Sequence, residues 1–515
     1  MNRPPLVLNA GQIEQLQSAD ALLASEVVGT PGALVLRSLG NDVVIDPKDG
    51  FNIELDGAYW PNTISPPGGV LTDESGDGIL SWTIPFSTMK TNRVFHVAKT
   101  GNDDTGDGSI NNPWATIQKA LNYIGDSWIS SAATVTIQVA DGTYQVNTQI
   151  NVVHPCASRI TITGESALTK TIDSGVAVVT TGTAGNYATT FRLTDVANMA
   201  VGEYVLISSL SGGTRPESLY GCHKITAING SDVTVLNRTR SSVGPSGAIT
   251  GTMTVIKTIL QTSGNTCFSI TSAALGTLSK MVLAGTSTGV GIRVEKGGAL
   301  GASSQIGVDG FSIGIYGIQA TSMGVIGALV SGSAALGIAG QGVLLILATS
   351  AIVSGCAGAA YSMELTYLHS AGAMAVGGGS VGFAIQSASI LFGQNCQSLY
   401  NASSGFIAVR HGSIGGTGMK SRYNGGHGFY ANFGGLLFLQ SPAEASHNAL
   451  SGVALERMSS VELLNLVVNN NGQWGVLGQH NGFAYGSWTV TGAGNGSGLL
   501  SPASLTIGND DFVMS

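Results

Sequence analysis

Charge is scarce in this chain. Asp, Glu, Lys and Arg make up 10% of 515 residues, and the net charge is −8. No basic block is present, which argues against nucleic acid as a partner, because phosphate neutralisation needs clustered Lys and Arg. Cysteine is sparse too. Cys156, Cys222, Cys267, Cys356 and Cys396 are an odd number and lack metal-ligand spacing. They fit small buried residues of a protein made in a reducing cytosol. The opening MNRPPLVLNAGQIEQLQ has no apolar core of a signal peptide, so no export signal is expected. No phosphate loop, nucleophile elbow or zinc pattern occurs, and no cofactor is expected.

Glycine is abundant instead, at 74 residues, beside 43% hydrophobic residues. Disorder would need more charge and fewer apolar residues. Collagen would need Gly at every third position, which is absent. Gly with Ser/Thr and Val/Ile reads as many short strands joined by tight turns. The length exceeds one compact core, leaving several domains or one elongated body. Between Asp309 and Glu364 no residue is charged, which imitates a membrane segment. Gly and Ser interrupt that stretch and a strand-like repeat runs through it, so no membrane insertion is expected.

The repeat is a small residue followed by an apolar one: Gly291-Ile292, Gly314-Ile315, Gly337-Ile338, Ala360-Tyr361, Gly382-Phe383, Gly405-Phe406, Gly428-Phe429, Gly452-Val453 and Gly475-Val476. Successive spacings are 23, 23, 23, 22, 23, 23, 24 and 23, the mark of a solenoid. The units alternate with period 2 and lack helical periodicity, so the expected fold is all-β: a right-handed parallel β-helix with coils of about 23 residues. Ile292 through Val476 should form one inward column, with Phe383, Phe406 and Phe429 stacked in it. Val294, Gly317, Gly340, Met363, Ile385, Ala408, Ala431, Leu455 and Gly478 should form a second. Asn401, Asn424, Asn448 and Asn471 recur four residues before the small residue and predict an amide ladder.

Before the repeat, residues 1–30 hold the polar-apolar stretch GQIEQLQSADAL, readable as a short helix, and residues 31–92 read as a small β-rich unit. QIEQLQSADAL, with Trp60-Pro61, Gly68-Gly69-Val70-Leu71-Thr72 and Gly76-Asp77-Gly78-Ile79-Leu80-Ser81-Trp82, resembles segments that recur in bacteriophage tail fibre and tailspike proteins. Gly69 departs from that pattern, which usually has Gln there. Phe95-His96-Val97-Ala98, GNDDTGDGSINNPWATIQKALNYI and Asp141-Gly142-Thr143-Tyr144 are similar to the entry of pectate-lyase-like β-helices. There a helix, here about 113–124 with Ile117, Ala120, Leu121 and Ile124 on one face, caps the solenoid. The β-helix is then expected over 93–487, with a β subdomain inserted at about 185–258 and a C-terminal β cap over 488–515. The resemblance implies a virion tail protein made in the host cytoplasm. It implies a homotrimer that docks on the phage tail or baseplate through its N-terminus and recognises a host surface polysaccharide. A polysaccharide lyase or glycoside hydrolase on the same scaffold is the alternative, and a bacterial surface adhesin a weaker one.

Chemistry is thinly signalled. A glycosidase needs two carboxylates about 5–9.5 Å apart. Between Lys296 and Gln440 the only carboxylates are Asp309 and Glu364. Glu364 and Glu456 would stand four coils apart, about 19 Å. The column Glu295, Ile318, Gln341, Glu364, Gln386, Val409, Asn432, Glu456, Gln479 reads as a solvated polar stripe. Arg410, His411, Arg422, Tyr423, His427 and Tyr430 fall in two successive coils, with Tyr367 and His369 below, and with Glu364 they are the candidates for sugar contact. No catalytic residue is assigned. The competing reading is ordinary surface turns, with Tyr423 stacked on Tyr400. The loop Asp103-Asp104-Thr105-Gly106-Asp107 lacks an EF-hand's spacing and reads as a turn beside the helix cap, so no metal is expected. Tyr316, Ala339, Ala384, Ile407, Tyr430, Ala454 and Leu477 should face outward, an apolar column that suits a subunit interface.

Overall fold

The computed structural model describes residues 87–242, 244–485 and 488–501, together with the short strands Leu8–Asn9, Gln12–Ile13, Leu71–Thr72, Ser81–Trp82, Leu505–Ile507 and Phe512–Met514. The chain divides into two units, Met1–Phe86 and Ser87–Ser515. In the first, Leu8–Asn9 pairs with Gln12–Ile13 and Leu71–Thr72 with Ser81–Trp82, both antiparallel. Gln12 and Ile13, inside the stretch read as a short helix, are therefore in a strand. The rest of the expected tail-attachment segment and of the 31–92 unit lies outside the described residues, up to residue 86.

The second unit is a parallel β-helix. Each coil supplies one strand to each of three parallel ladders. The first ladder has twelve strands, from Ile150–Val152 through Phe383–Gln386, Phe406–Val409 and Phe429–Asn432 to Gly498–Leu500. The second includes Tyr367–Ala371, Ile390–Gln394, Ser413–Thr417 and Leu436–Gln440. The third includes Ile352–Ser354, Met374–Val376, Gln397–Leu399, Lys420–Arg422 and Ala443–Ser446. Pairing follows the sequence spacing, with Phe383 opposite Phe406 and Phe406 opposite Phe429.

Alternation decides what enters the core. Every residue of the column Ile292 to Val476 is fully buried. Four rings stack along it. Tyr361 lies 4.3 Å from Phe383, Phe383 4.6 Å from Phe406, and Phe406 5.0 Å from Phe429, with planes within 11°. The Tyr361 hydroxyl donates to the Ala351 carbonyl at 2.8 Å, so its polar tip is satisfied inside the core. Opposite large side chains the second column shrinks: a Cβ on Gly317 would come within 2.6 Å of Met323 Sδ. The asparagine ladder is present and one rung longer. Nδ2 of Asn401, Asn424, Asn448 and Asn471 donates to Oδ1 of the next asparagine at 3.0–3.1 Å, ending on Asn495. Each Nδ2 also reaches a backbone carbonyl, so buried amides are fully used.

The helix Ile117–Gly125 closes the first coil, burying Ile117, Ala120, Leu121 and Ile124. Thr116 caps it, accepting from Lys119 N. Asp103 in turn accepts from the amides of Ala115 and Thr116 and from the Thr116 hydroxyl. The acidic loop is thus a helix-capping device.

Between the coil strands Ile160–Gly164 and Thr258–Gln261 the chain leaves the solenoid and forms an eight-stranded antiparallel sheet, Ala167–Thr171 to Ser246–Ile256. The sequence places this insertion from about 185. It begins at Ala167 because Ala167–Thr171 pairs with the far strand Ser246–Ile256, a partner local alternation does not reveal. Its apolar face, with Leu206, Leu219 and Cys222, packs on Val282, Leu329, Ile352, Met374 and Leu399 of the third ladder. Polar staples join the two. Arg238 Nε is 3.4 Å from Asp309 Oδ1, the Tyr204 hydroxyl 3.5 Å from Asp309 Oδ2, and Cys222 N donates to Ser331 Oγ at 2.8 Å.

At the C-terminal end, the segment read as a separate cap continues the ladders. Trp488–Thr491, Gly498–Leu500, Leu505–Ile507 and Phe512–Met514 each pair in parallel with the preceding coil. The uncharged stretch between Asp309 and Glu364 consists of coil strands, and no helix among the described residues is long and apolar enough to cross a membrane. All five cysteines are buried and unbridged.

Candidate functional site

The sequence candidates separate onto different faces, because a 23-residue coil carries residues half a period apart to opposite sides. On the first ladder, Glu364 accepts from Gln341 Nε2 at 3.4 Å, and Gln341 Oε1 accepts from the Tyr316 hydroxyl at 2.9 Å. Further along that face, the Tyr430 hydroxyl donates to Glu456 Oε2 at 2.8 Å and accepts from Asn432 Nδ2 at 2.6 Å. His427 stacks on Tyr430 at 5.3 Å, and its Nδ1 accepts from Ser451 N. Burial holds the His427 imidazole below its ordinary range. Burial, then the Glu456 carboxylate, pushes Tyr430 up to about 12. Tyr367 and His369 lie on the second ladder, where His369 stacks on Phe392 at 5.6 Å. Arg410 and His411 occupy left-handed positions in the turn between those ladders, with the His411 ring lying over Gly434. Arg422 and Tyr423 are on and just after the third ladder.

It is at Arg422 and Tyr423 that the surface changes character. Just beyond the strands of the third ladder, one residue on from Asp309 to Ser446 and three residues on after Val467 and Thr491, the backbone is left-handed, and this column reads Gly310, Gly332, Gly355, Gly377, Tyr400, Tyr423, His447, Asn470, Gly494. The glycines at 332, 355 and 377 have a steric cause. Residues 238–241 of the insertion cross directly over them, and a Cβ at Gly355 or Gly377 would overlap the Arg238 carbonyl or the Thr239 hydroxyl. Beyond Ser241 the column is uncovered and turns aromatic. Non-glycine residues with this backbone carry strain of about 1–3 kcal/mol each, and here three rings take it on while stacked. Tyr400 and Tyr423 are 5.2 Å apart at 15°, and Tyr423 and His447 4.7 Å apart at 27°.

The insertion's edge forms the wall of this step. Arg215 lies over the Tyr400 ring, 4.9 Å from its centroid, while its Nη1 donates to Ser241 Oγ. Burial, then Glu217, pushes the Tyr400 phenol up to about 12. The floor changes at the same height. Outward residues of the third ladder are apolar under the insertion (Leu329, Ile352, Met374, Leu399) and become Lys420, Arg422 and Glu444 outside it. Arg422 Nε stands 3.8 Å from Glu444 Oε1, close enough for ion pairing, yet has no hydrogen-bond partner. Ser446 Oγ holds Glu444 Oε1 at 2.6 Å. The result is a ledge: a stacked aromatic tread, a basic floor and an arginine at the riser. Tyr423, at its centre, is 42% exposed. Sequence patterning points to Arg422 and Tyr423 but misses Arg215 and Glu217, about 200 residues away in the chain, and His447, whose signal is its place just before the asparagine ladder.

Acid–base machinery is not assembled on the ledge. Glu444 is its only third-ladder carboxylate and is committed to Arg422 and Ser446. A second cleft, of about 300 Å³, lies where the insertion meets the first coils and is lined by Asp141, Glu203 and Lys257. There Asp141 accepts from Ser166 N, and Glu203 accepts from Ala200 N and lies 3.7 Å from Lys257 Nζ. Both carboxylates serve local turns. Among the described residues no group of three His, Cys, Asp or Glu is placed to hold a metal ion.

Of the outward column read as an interface, Ala339, Ala454 and Leu477 are buried, while Tyr316, Ala384, Ile407 and Tyr430 are half-buried. Large exposed apolar side chains also gather on the second ladder and the turn leading into it. Leu344 is 73% exposed, Leu365 66% and Met458 71%, with Tyr367, Ile390, Phe392, Phe433 and Phe483 beside them.

No family model matches the chain, and no curated protein does. Solved structures of similar shape include the catalytic domain of GH87 alpha-1,3-glucanase in complex with nigerose, at 10% identity, covering 66% of this chain and 97% of that chain with a TM-score of 0.32. Pectate lyase Pel9A matches at 12% identity, 82% and 80% coverage and a TM-score of 0.27. The Gp54 tailspike of Acinetobacter baumannii bacteriophage AP22, in complex with A. baumannii capsular saccharide, matches at 11%, 72% and 68%, with a TM-score of 0.21. These likenesses are of fold alone, and no residue role is carried across from them.

Proposed function

We propose that the chain is an adhesive tail-fibre or tailspike subunit whose ledge at Tyr400, Tyr423 and His447 holds a host-surface polysaccharide. The observation that carries this is the ring stack, exposed at Tyr423 and His447, with Arg215 and Arg422 beside it. Sugar rings present apolar faces and hydroxyl edges, and rigid aromatic side chains next to polar groups complement both. Binding without cleavage is the form of this reading that we favour, since Glu444 is already engaged by Arg422 and Ser446 and Glu217 stands across the step beside Tyr400, not beside Glu444 on the third ladder. Attachment to the tail is assigned to residues 1–30, on the resemblance of that segment, and places the chain in the virion. Three copies side by side, joined through the second ladder's apolar face, would cover Leu344, Leu365 and Phe392.

The test is incubation of the purified full chain with polysaccharide from a susceptible host. Binding by calorimetry without shortening of the polymer is the expected result, and Tyr423→Ala should weaken it about tenfold. Release of oligosaccharides would replace this reading with a depolymerase, lyase if the ends are unsaturated and hydrolase if saturated. Unchanged binding by Tyr423→Ala would remove the ledge from it.

A further inference from the structure

We infer that the ledge selects a polysaccharide bearing carboxylate sugars, such as uronates, over a neutral one; this rests on the glycan reading above. The charge balance points that way. Arg215, Lys420 and Arg422 stand at the step, against Glu217 and Glu444, so three positive and two negative groups leave a local excess of one. The whole chain carries −8, so this is a basic island on an acidic protein. A diffuse negative field with one positive cleft steers an anionic polymer to that cleft.

These cations are only lightly engaged. Lys420 forms no ion pair among the described residues, although it lies outward on its strand. Arg422 pairs with Glu444 at 3.8 Å and its Nε is buried, but 30% of its side chain is exposed beside the rings. Arg215 donates one Nη1 bond to Ser241 and lies flat on Tyr400, which fixes its plane. A planar guanidinium fixed in this way presents a donor pair to a carboxylate, a geometry a lysine does not offer. The exposed edges of the stacked rings lie alongside, so a sugar can rest against the edge of Tyr423 while its carboxylate reaches Arg422 or Arg215. A neutral sugar would meet the rings alone and gain no charged contact from the arginines.

The experiment begins with the full chain on an array of bacterial oligosaccharides, uronate-bearing and neutral. Calorimetry follows with a bound uronate polymer and its carboxyl-reduced form, which keeps the linkages and loses the charge. Carboxyl reduction should weaken binding about tenfold, and added salt should weaken binding of the native polymer alone. Arg422→Gln should weaken the native polymer and leave the reduced form unchanged. Lys420→Gln, at an unpaired surface position where folding is not at risk, should act in the same direction. Equal affinity for the two polymers, or array binding confined to neutral sugars, would overturn the selectivity and leave the glycan reading standing. Absence of binding to every glycan would overturn both.

Discussion

Phe383 and Phe406, one coil apart in the chain, stack at 4.6 Å with their planes 8° apart. That relation repeats from Tyr361 to Phe429 and makes the core a continuous column. Phe406→Ala should open a cavity inside it that neighbouring coils cannot fill, costing about 3–5 kcal/mol. Chemical denaturation checks this, and a loss below about 1 kcal/mol would contradict a tightly stacked interior.

Asn448 is tied at four points. Its Nδ2 donates to Ser421 O and Asn471 Oδ1, and its Oδ1 accepts from Asn424 N and Asn424 Nδ2. Asn448→Ala leaves buried donors without acceptors, each worth about 1–3 kcal/mol. Amide hydrogen exchange should accelerate at Asn424 and its neighbouring coils first, before global unfolding. Protection equal to that of the unaltered chain would show the ladder to be incidental.

These two columns were legible because a solenoid writes its contacts as a period. Spacing alone brings Phe383 to Phe406 and Asn424 to Asn448, and burial follows from alternation. The insertion was not legible in the same way. Ala167–Thr171 alternates like any coil strand, and its partner Ser246–Ile256 lies far along the chain. The ledge was half legible. Arg422 and Tyr423 stood out as polar and aromatic residues on a bland repeat, whereas Arg215 reaches Tyr400 only through the folded insertion. Residues such as Tyr367, His369, Arg410 and His411 share the sequence neighbourhood but point from other faces, because periodicity gives height along the axis without weighing one face against another.

Asp309 gives a pH dependence with a definite sign. It is wholly buried, facing Arg238, Tyr204, Cys222 and Lys224, and burial raises its carboxyl above the usual range despite Arg238. A raised folded-state value means the folded chain holds the proton more tightly. The contribution is therefore present in full below the unfolded carboxylate's range and is lost as pH rises through the folded value. Unfolding free energy of the unaltered chain minus that of Asp309→Asn should fall over the interval in which pH rises above the ordinary carboxylate value of about 4. A difference that grows over that interval would mean that Arg238 outweighs burial.

The second ladder's face should join subunits. Leu344, Leu365 and Phe392 present large apolar side chains to solvent in a single chain. Sedimentation of the full chain should give a trimer, and Leu365→Asp with Phe392→Asp should give monomers that keep their β-sheet circular dichroism. An unaltered trimer in that double variant would move the interface elsewhere.

The account turns on where sugar sits. A structure of the full chain with an oligosaccharide selected on the array answers this directly. The expected result is a sugar ring resting ~4 Å from the exposed edge of Tyr423, with a carboxylate paired to Arg422 or Arg215. Sugar on the face of Glu364 and Tyr430, or in the cleft of Asp141 and Glu203, with the ledge bare, would contradict it.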